Sequence, residues 1–192
     1  MKAISDTRER LLDAAERLFG ERGYGAVTVK DIAQAVGIHH ASLYHHSPGG
    51  KEELFVEVTK RGLLRHQHGM AATLNAGEGS VHGQLHAIAV WLLSNPPVDL
   101  VRMALSDMPE IEEAAAEEIT NLAHEALLQP IMLALDAGRQ RGEIAHGEIG
   151  NIAGAIFASI EALHTIPAKY LTTTRQQMAD DLIDIFVRGM QL

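Results

Sequence analysis

The chain has 192 residues, no cysteine and a formal net charge of −9. That length can bury a real core, as one domain or two small ones, while the absence of cysteine excludes disulfides and thiolate metal sites. The opening segment MKAISDTRER carries no apolar signal core and no apolar run is long enough to span a bilayer, so neither a secretion signal nor a membrane partner is expected, and a cytoplasmic setting is compatible. The charge is unevenly distributed: residues 1–65 carry a net +1 and the remainder −10. A near-neutral N-terminal part ahead of an acidic body leaves room for a local basic surface that meets phosphates.

Almost every segment predicts helix. Asp6 to Arg22 has Leu11, Ala15, Leu18 and Phe19 along one face, with Gly23 ending it and Gly25 relaxing the turn. Thr28 to Tyr44, TVKDIAQAVGIHHASLY, predicts two short helices around a tight turn. Thr28 and Asp31 have capping-box spacing, Ile32, Ala33 and Val36 fall at helical intervals, and Gly37 stops the first helix where a left-handed backbone is needed. Ile38 plugs the corner, and Ala41, Leu43 and Tyr44 carry the second helix. This is the helix-turn-helix plan, whose second helix lies in the DNA major groove.

Ser47-Pro48-Gly49-Gly50 is a breaker cluster, and Lys51 to about His68 follows as a fourth helix. Asn75 to Ser80 reads as a loop. Ser80 then caps a helix carrying Leu85, Ile88, Ala89 and Leu92, ended by Asn95-Pro96-Pro97. A short helix is expected over Val98 to Ser106. Asp107 is expected to cap a long helix from about Pro109, with Pro130 kinking or breaking it and Gly142 closing it. Two apolar helices complete the chain, at about Glu148 to Thr165 and Arg175 to Met190, the last with a Thr174/Gln177 capping box.

The run from Thr7 to Phe55 resembles the tetracycline-repressor (TetR) family of transcriptional regulators. The resemblance is carried, in order, by Ala14-Ala15, Leu18-Phe19, Gly23-Tyr24, Thr28-Val29, Ile32-Ala33, Gly37-Ile38, Leu43-Tyr44 and Lys51-Glu52-Glu53-Leu54. It implies an all-α homodimer: an N-terminal three-helix helix-turn-helix DNA-binding module over 1–50, then a helical effector-binding and dimerisation domain over 51–192, with 51–70 as the connecting helix. It further implies a repressor of a double-stranded DNA operator with inverted-repeat symmetry, released when a small-molecule effector moves the two modules out of register. Two departures stand out. His39 and His40 occupy positions where the family has Ser and another polar residue, and histidine is a poorer helix cap than serine. The Ser47–Gly50 loop is one residue longer than usual, with Ser47 in place of an aromatic.

Within that frame Tyr44 matches a tyrosine that reaches a DNA phosphate, the alternative being a core tyrosine. Thr28, Lys30 and Lys51 match phosphate-facing positions at helix starts, although each alone is an ordinary cap or solvated lysine. His39, His40 and His45, with Ser42 beside them, are the candidate base-edge or phosphate readers. Histidines paired with phosphate as cations make operator binding strongest at mildly acidic pH, whereas neutral ones on base edges show little of this.

In the body, Trp91, Met103, Met108, His124, Met132, Phe157, His164 and Tyr170 are candidate pocket walls for an organic effector, each also explicable as core. The small residues Gly154 and Ala158, with Leu182, Ile185 and Phe186 from the last helix, are the candidate dimer interface. No cofactor is expected. His82 and His86, four apart, share a helix face and leave a metal-responsive regulator as an alternative. No nucleophile motif, phosphate loop or paired carboxylates point to an enzyme. A helical interaction protein that uses the module without regulating transcription is a third class, which specific operator binding excludes.

Overall fold

The computed structural model describes residues 2–76 and 79–191, and among them there is no strand. Two compact units emerge, one formed by the chain up to residue 63 together with 99–122, the other by 64–98 with 123–192.

In the first unit, helix α1 (Lys2–Arg22) is followed by α2 (Val29–Val36), the single turn α3 (His40–Leu43) and the start of α4 (Gly50–Ala76). Leu11, Ala15, Leu18 and Phe19 of α1, Val27, Ile32 and Ala33, Leu43, and Leu54, Phe55 and Val58 of α4 are all buried. Phe19, Tyr24 and Phe55 form an aromatic cluster with ring centroids 4.9–6.0 Å apart. Arg8 grips Glu57 bidentately at 2.8 and 2.6 Å, and Arg61 meets Asp13 at 2.7 Å. These tie α1 to α4.

Three expectations are corrected here. Helix α4 runs through Asn75 and Ala76, because no proline or loop-forming glycine precedes Gly77; Gly77 and Glu78 of the expected loop lie outside the described residues. The segment expected as one short helix is α6 (Leu100–Arg102), capped by Asp99, and then a π-turn over Met103–Asp107 in which the Met108 amide reaches back to the Met103 carbonyl. Asp107 does not cap a following helix. Its side chain is turned inward and 2% exposed, its carboxylate accepting the Tyr24 amide at 2.8 Å. A 3-10 turn (Met108–Glu110) follows, and α7 (Glu113–Ala123) starts four residues later than Pro109.

The second unit contains the rest of α4, α5 (Val81–Ser94), α8 (Gln129–Gln140), α9 (Ile149–Thr165) and α10 (Arg175–Met190). Ser80, Glu148 and Thr174 cap their helices, the last as a full capping box with Gln177. Pro130 breaks the long run as expected, and the chain absorbs the break locally. With no N–H to donate, Pro130 sits in the first turn of α8, and a π-turn over His124–Leu128 precedes it. Burial alone pushes the Glu143 carboxyl up, but Arg141 and the Val81 amide, 2.6 Å away, hold it below the usual range. Among the described residues no helix is long and apolar enough to cross a membrane.

Gly69 lies under Trp91, the one tryptophan of the chain. A Cβ on Gly69 would fall 1.9 Å from the Trp91 Cζ2. Helix propensity alone makes Gly→Ala stabilising by about 1 kcal/mol. Here the displaced indole reverses the sign: Gly69→Ala should destabilise the protein by about 1–3 kcal/mol and move the Trp91 emission. An unchanged spectrum with a raised melting temperature would show that the ring is not held on Gly69.

Candidate nucleic-acid interface

The helix-turn-helix is built by local hydrogen bonds. The Asp31 amide donates to Thr28 Oγ1 at 3.2 Å and the Thr28 amide to Asp31 Oδ2 at 2.9 Å, closing the expected capping box. Bonds from the Thr28 hydroxyl and amide hold the Asp31 carboxyl below its usual range, so the box persists at neutral pH and is lost as pH falls through that lowered value. At the other end Gly37 adopts φ 75°, ψ 32°, and the Ile38 amide reaches the Ala33 carbonyl at 3.0 Å. Arg10 caps the Val36 carbonyl at 2.7 Å.

Helix α3 is one turn long, anchored by the fully buried Leu43. His39 caps it despite being a poor capping type: the Ala41 amide donates to His39 Nδ1 at 3.3 Å. The ring nitrogen stands where a serine hydroxyl would. The His40 ring lies 4.3 Å from that of His39. Lys30, Ala33, Gln34, Gly37 and Ile38 join these two histidines around an open groove of about 580 Å³. His45 is exposed, Ser42 half-buried, and His46 turns its Nδ1 inward.

Tyr44 is 48% exposed, so it is not a core tyrosine. The lengthened loop explains how it is held. Gly50 has φ +66°, and a Cβ there would lie 3.1 Å from the Tyr44 ring. Ser47 is buried and its hydroxyl donates to the Gly50 carbonyl at 3.3 Å, while the Gly49 amide donates to Glu53 at 2.6 Å. The loop thus packs the ring edge and starts α4 at once. Lys51 is half-buried, its Nζ 3.8 Å from the centroid of the Tyr24 ring. Burial, then Glu52 and Glu110, push the Tyr24 phenol up, so it stays neutral beneath that ammonium. Thr28 and Lys30 are exposed.

The candidate pocket residues fall in both units. Met103 (buried) and Met108 (half-buried) belong to the first. In the second, Phe157 is buried, and Met132 is half-buried. Trp91 packs edge-on to His66, and His164 lies 3.2 Å from the Leu92 carbonyl. His124 and Tyr170 are on the surface. His82 and His86 share a face of α5 as their spacing predicts, yet each meets its own carboxylate on α10, His82 with Asp184 at 2.8 Å and His86 with Asp180 at 2.7 Å. Among the described residues no group of three or more potential ligands is placed to hold a metal.

Helices α9 and α10 bury Ile156, Phe157, Ile160, Ile183 and Val187 and leave a second face outward. On it Ala158 is exposed, Gly154 opens onto free space, Ile185 is 67% exposed, and Leu182 and Phe186 are half-buried. Sequence reasoning missed the Asp107 contact, because only the fold brings positions 24 and 107 together.

Residues 11–58 match the family model of bacterial regulatory proteins, tetR family. Over 60 residues the chain is 50% identical to the HTH-type transcriptional repressor KstR2 of Rhodococcus jostii, covering 31% of this chain and 28% of that one. Over 56 residues it is 46% identical to the HTH-type transcriptional regulator LmrA of Bacillus subtilis, covering 29% and 30%. The matched stretches span less than a third of the length of these relatives. In fold the chain is similar to the crystal structure of AibR in complex with isovaleryl coenzyme A and operator DNA, with a TM-score of 0.76 over 93% of this chain and 97% of that one, at 19% identity.

Proposed function

Because this chain belongs to the TetR family of bacterial regulatory proteins, we propose that it is a homodimeric, ligand-responsive transcriptional repressor. It works in the cytoplasm on an inverted-repeat operator. The DNA-binding module is 1–50, joined through 51–70 to a body that binds an organic effector and dimerises. The observation that carries this reading is the helix-turn-helix geometry: a boxed α2, a left-handed Gly37 and a one-turn α3 that buries Leu43 while leaving His39, His40, Tyr44 and His45 outward.

Tyr44 and Lys30 position the module on phosphates, and the α3 histidines face the bases. The outward apolar face of α9 and α10 supports the dimer, since an apolar surface of this kind marks an association site. An operator and an effector that favour different arrangements of two such modules weaken each other's binding reciprocally.

Selection from random duplexes should return an inverted repeat. On that operator Tyr44→Phe should weaken binding about fivefold, the worth of one hydrogen bond, for all sequence variants alike. Lys51→Ala should lower the salt slope by about one unit per subunit if the ammonium leaves Tyr24 for a phosphate. No enriched sequence at low salt would sink the proposal. A changed sequence preference in Tyr44→Phe would remove that residue from the phosphate contacts.

A further inference from the structure

We propose that His39 contacts the operator as a neutral imidazole, with Nδ1 committed to its own helix and Nε2–H donated to N7 of a purine in the major groove. This deepens, and rests on, the operator-binding reading above. A backbone amide can only donate. The Ala41 N–H directed at Nδ1 over 3.3 Å therefore meets a lone pair, and Nδ1 carries no proton. A neutral imidazole has one ring proton, so it sits on Nε2. The cap of α3 thereby decides which tautomer the exposed edge presents.

That edge is a single donor. His39 is exposed and lines the open groove between α2 and α3, where the titratable or charged groups beside it are His40, with its ring 4.3 Å away, and Lys30 of α2. Purine N7 is an acceptor on the major-groove edge, whereas the cytosine amino group would meet Nε2–H donor to donor. Thymine O4 is also an acceptor, so a single donor excludes cytosine alone, and the contact assigned to His39 is purine N7 at one position of each half-site. The sign of the pH effect is opposite to that of a phosphate-paired histidine. Protonating Nδ1 sets N–H against N–H and removes the cap, so binding requires the neutral ring. Affinity through His39 falls as pH falls, by no more than the worth of that contact, about fivefold per subunit.

The test uses the selected operator, with each purine replaced in turn by its 7-deaza analogue, and wild type beside His39→Asn. Asparagine is a strong N-cap that does not titrate, so α3 is kept while the reach to N7 is lost; His39→Ser serves as a second capping variant, and melting curves matched to wild type confirm folding. One purine per half-site should cost wild type about fivefold on 7-deaza substitution and cost His39→Asn and His39→Ser nothing. The ratio of wild-type to His39→Asn affinity should fall between pH 8 and pH 6. Equal 7-deaza penalties in wild type and both variants, or a ratio that rises on acidification, would overturn the inference and leave operator binding standing. Failure to select any operator overturns the operator reading itself, and this inference with it.

Discussion

Asp107→Ala should destabilise the protein by about 3 kcal/mol, a large effect for a residue distant from the helix-turn-helix in sequence. The carboxylate accepts the Tyr24 amide at 2.8 Å in a buried setting, and Arg102 stands beside it at 3.7 Å while donating to the Phe19 carbonyl at 2.8 Å. Removing the acceptor leaves a buried N–H unpartnered, costing about 1–3 kcal/mol, and ends a charge-assisted bond of comparable worth. Gly23 sits at φ +78° and a Cβ there would lie 2.8 Å from Arg102 Nη1 and 3.1 Å from Asp107 Oδ1, so this corner is closed to any larger residue. Urea denaturation followed by circular dichroism measures the loss, and hydrogen exchange at the Tyr24 amide locates it. Asp107→Asn keeps a carbonyl acceptor and should recover about half. If both variants unfold at the wild-type midpoint, the contact is not a structural tie.

Ile185→Asp should abolish dimerisation and reduce operator affinity at least about a hundredfold, because two half-sites bound through one linked particle gain that much over one. Ile185 is 67% exposed, and its α10 neighbours Ile183 and Val187 are buried in their own unit. A charge at 185 therefore strikes association and spares the protomer fold. Sedimentation and operator titration read the two effects together. A variant that stays dimeric with operator affinity within twofold of wild type would place the dimer interface elsewhere.

The helical plan was legible because its signals are local. Thr28/Asp31, Gly37, Ser80, Gly142 and Thr174/Gln177 act within one turn of themselves, and each appears where spacing put it. Pro130 was legible for the same reason. Asp107 was misread because an aspartate two residues before a proline is also a good cap by local rules; its real partner is 83 positions away. The positions of the candidate site residues on the helix-turn-helix were legible, their chemistry only partly. The pattern marked His39 as a candidate reader, and its ring caps the helix that follows it. Likewise His82 and His86 share a face, as four-residue spacing requires, but which groups face them depends on α10, which periodicity in α5 cannot report.

The stretch that matches the family model ends at residue 58, whereas the unit it belongs to also draws on 99–122. Exchange of operator specificity between family members by shuffling the N-terminal segment alone would put the Tyr24 amide opposite whatever the recipient carries at position 107. Recombination therefore succeeds only between parents that both supply an acceptor there, or when the later segment travels with the first. Grafted readers taken from this chain should carry residues 99–122 as part of the cargo.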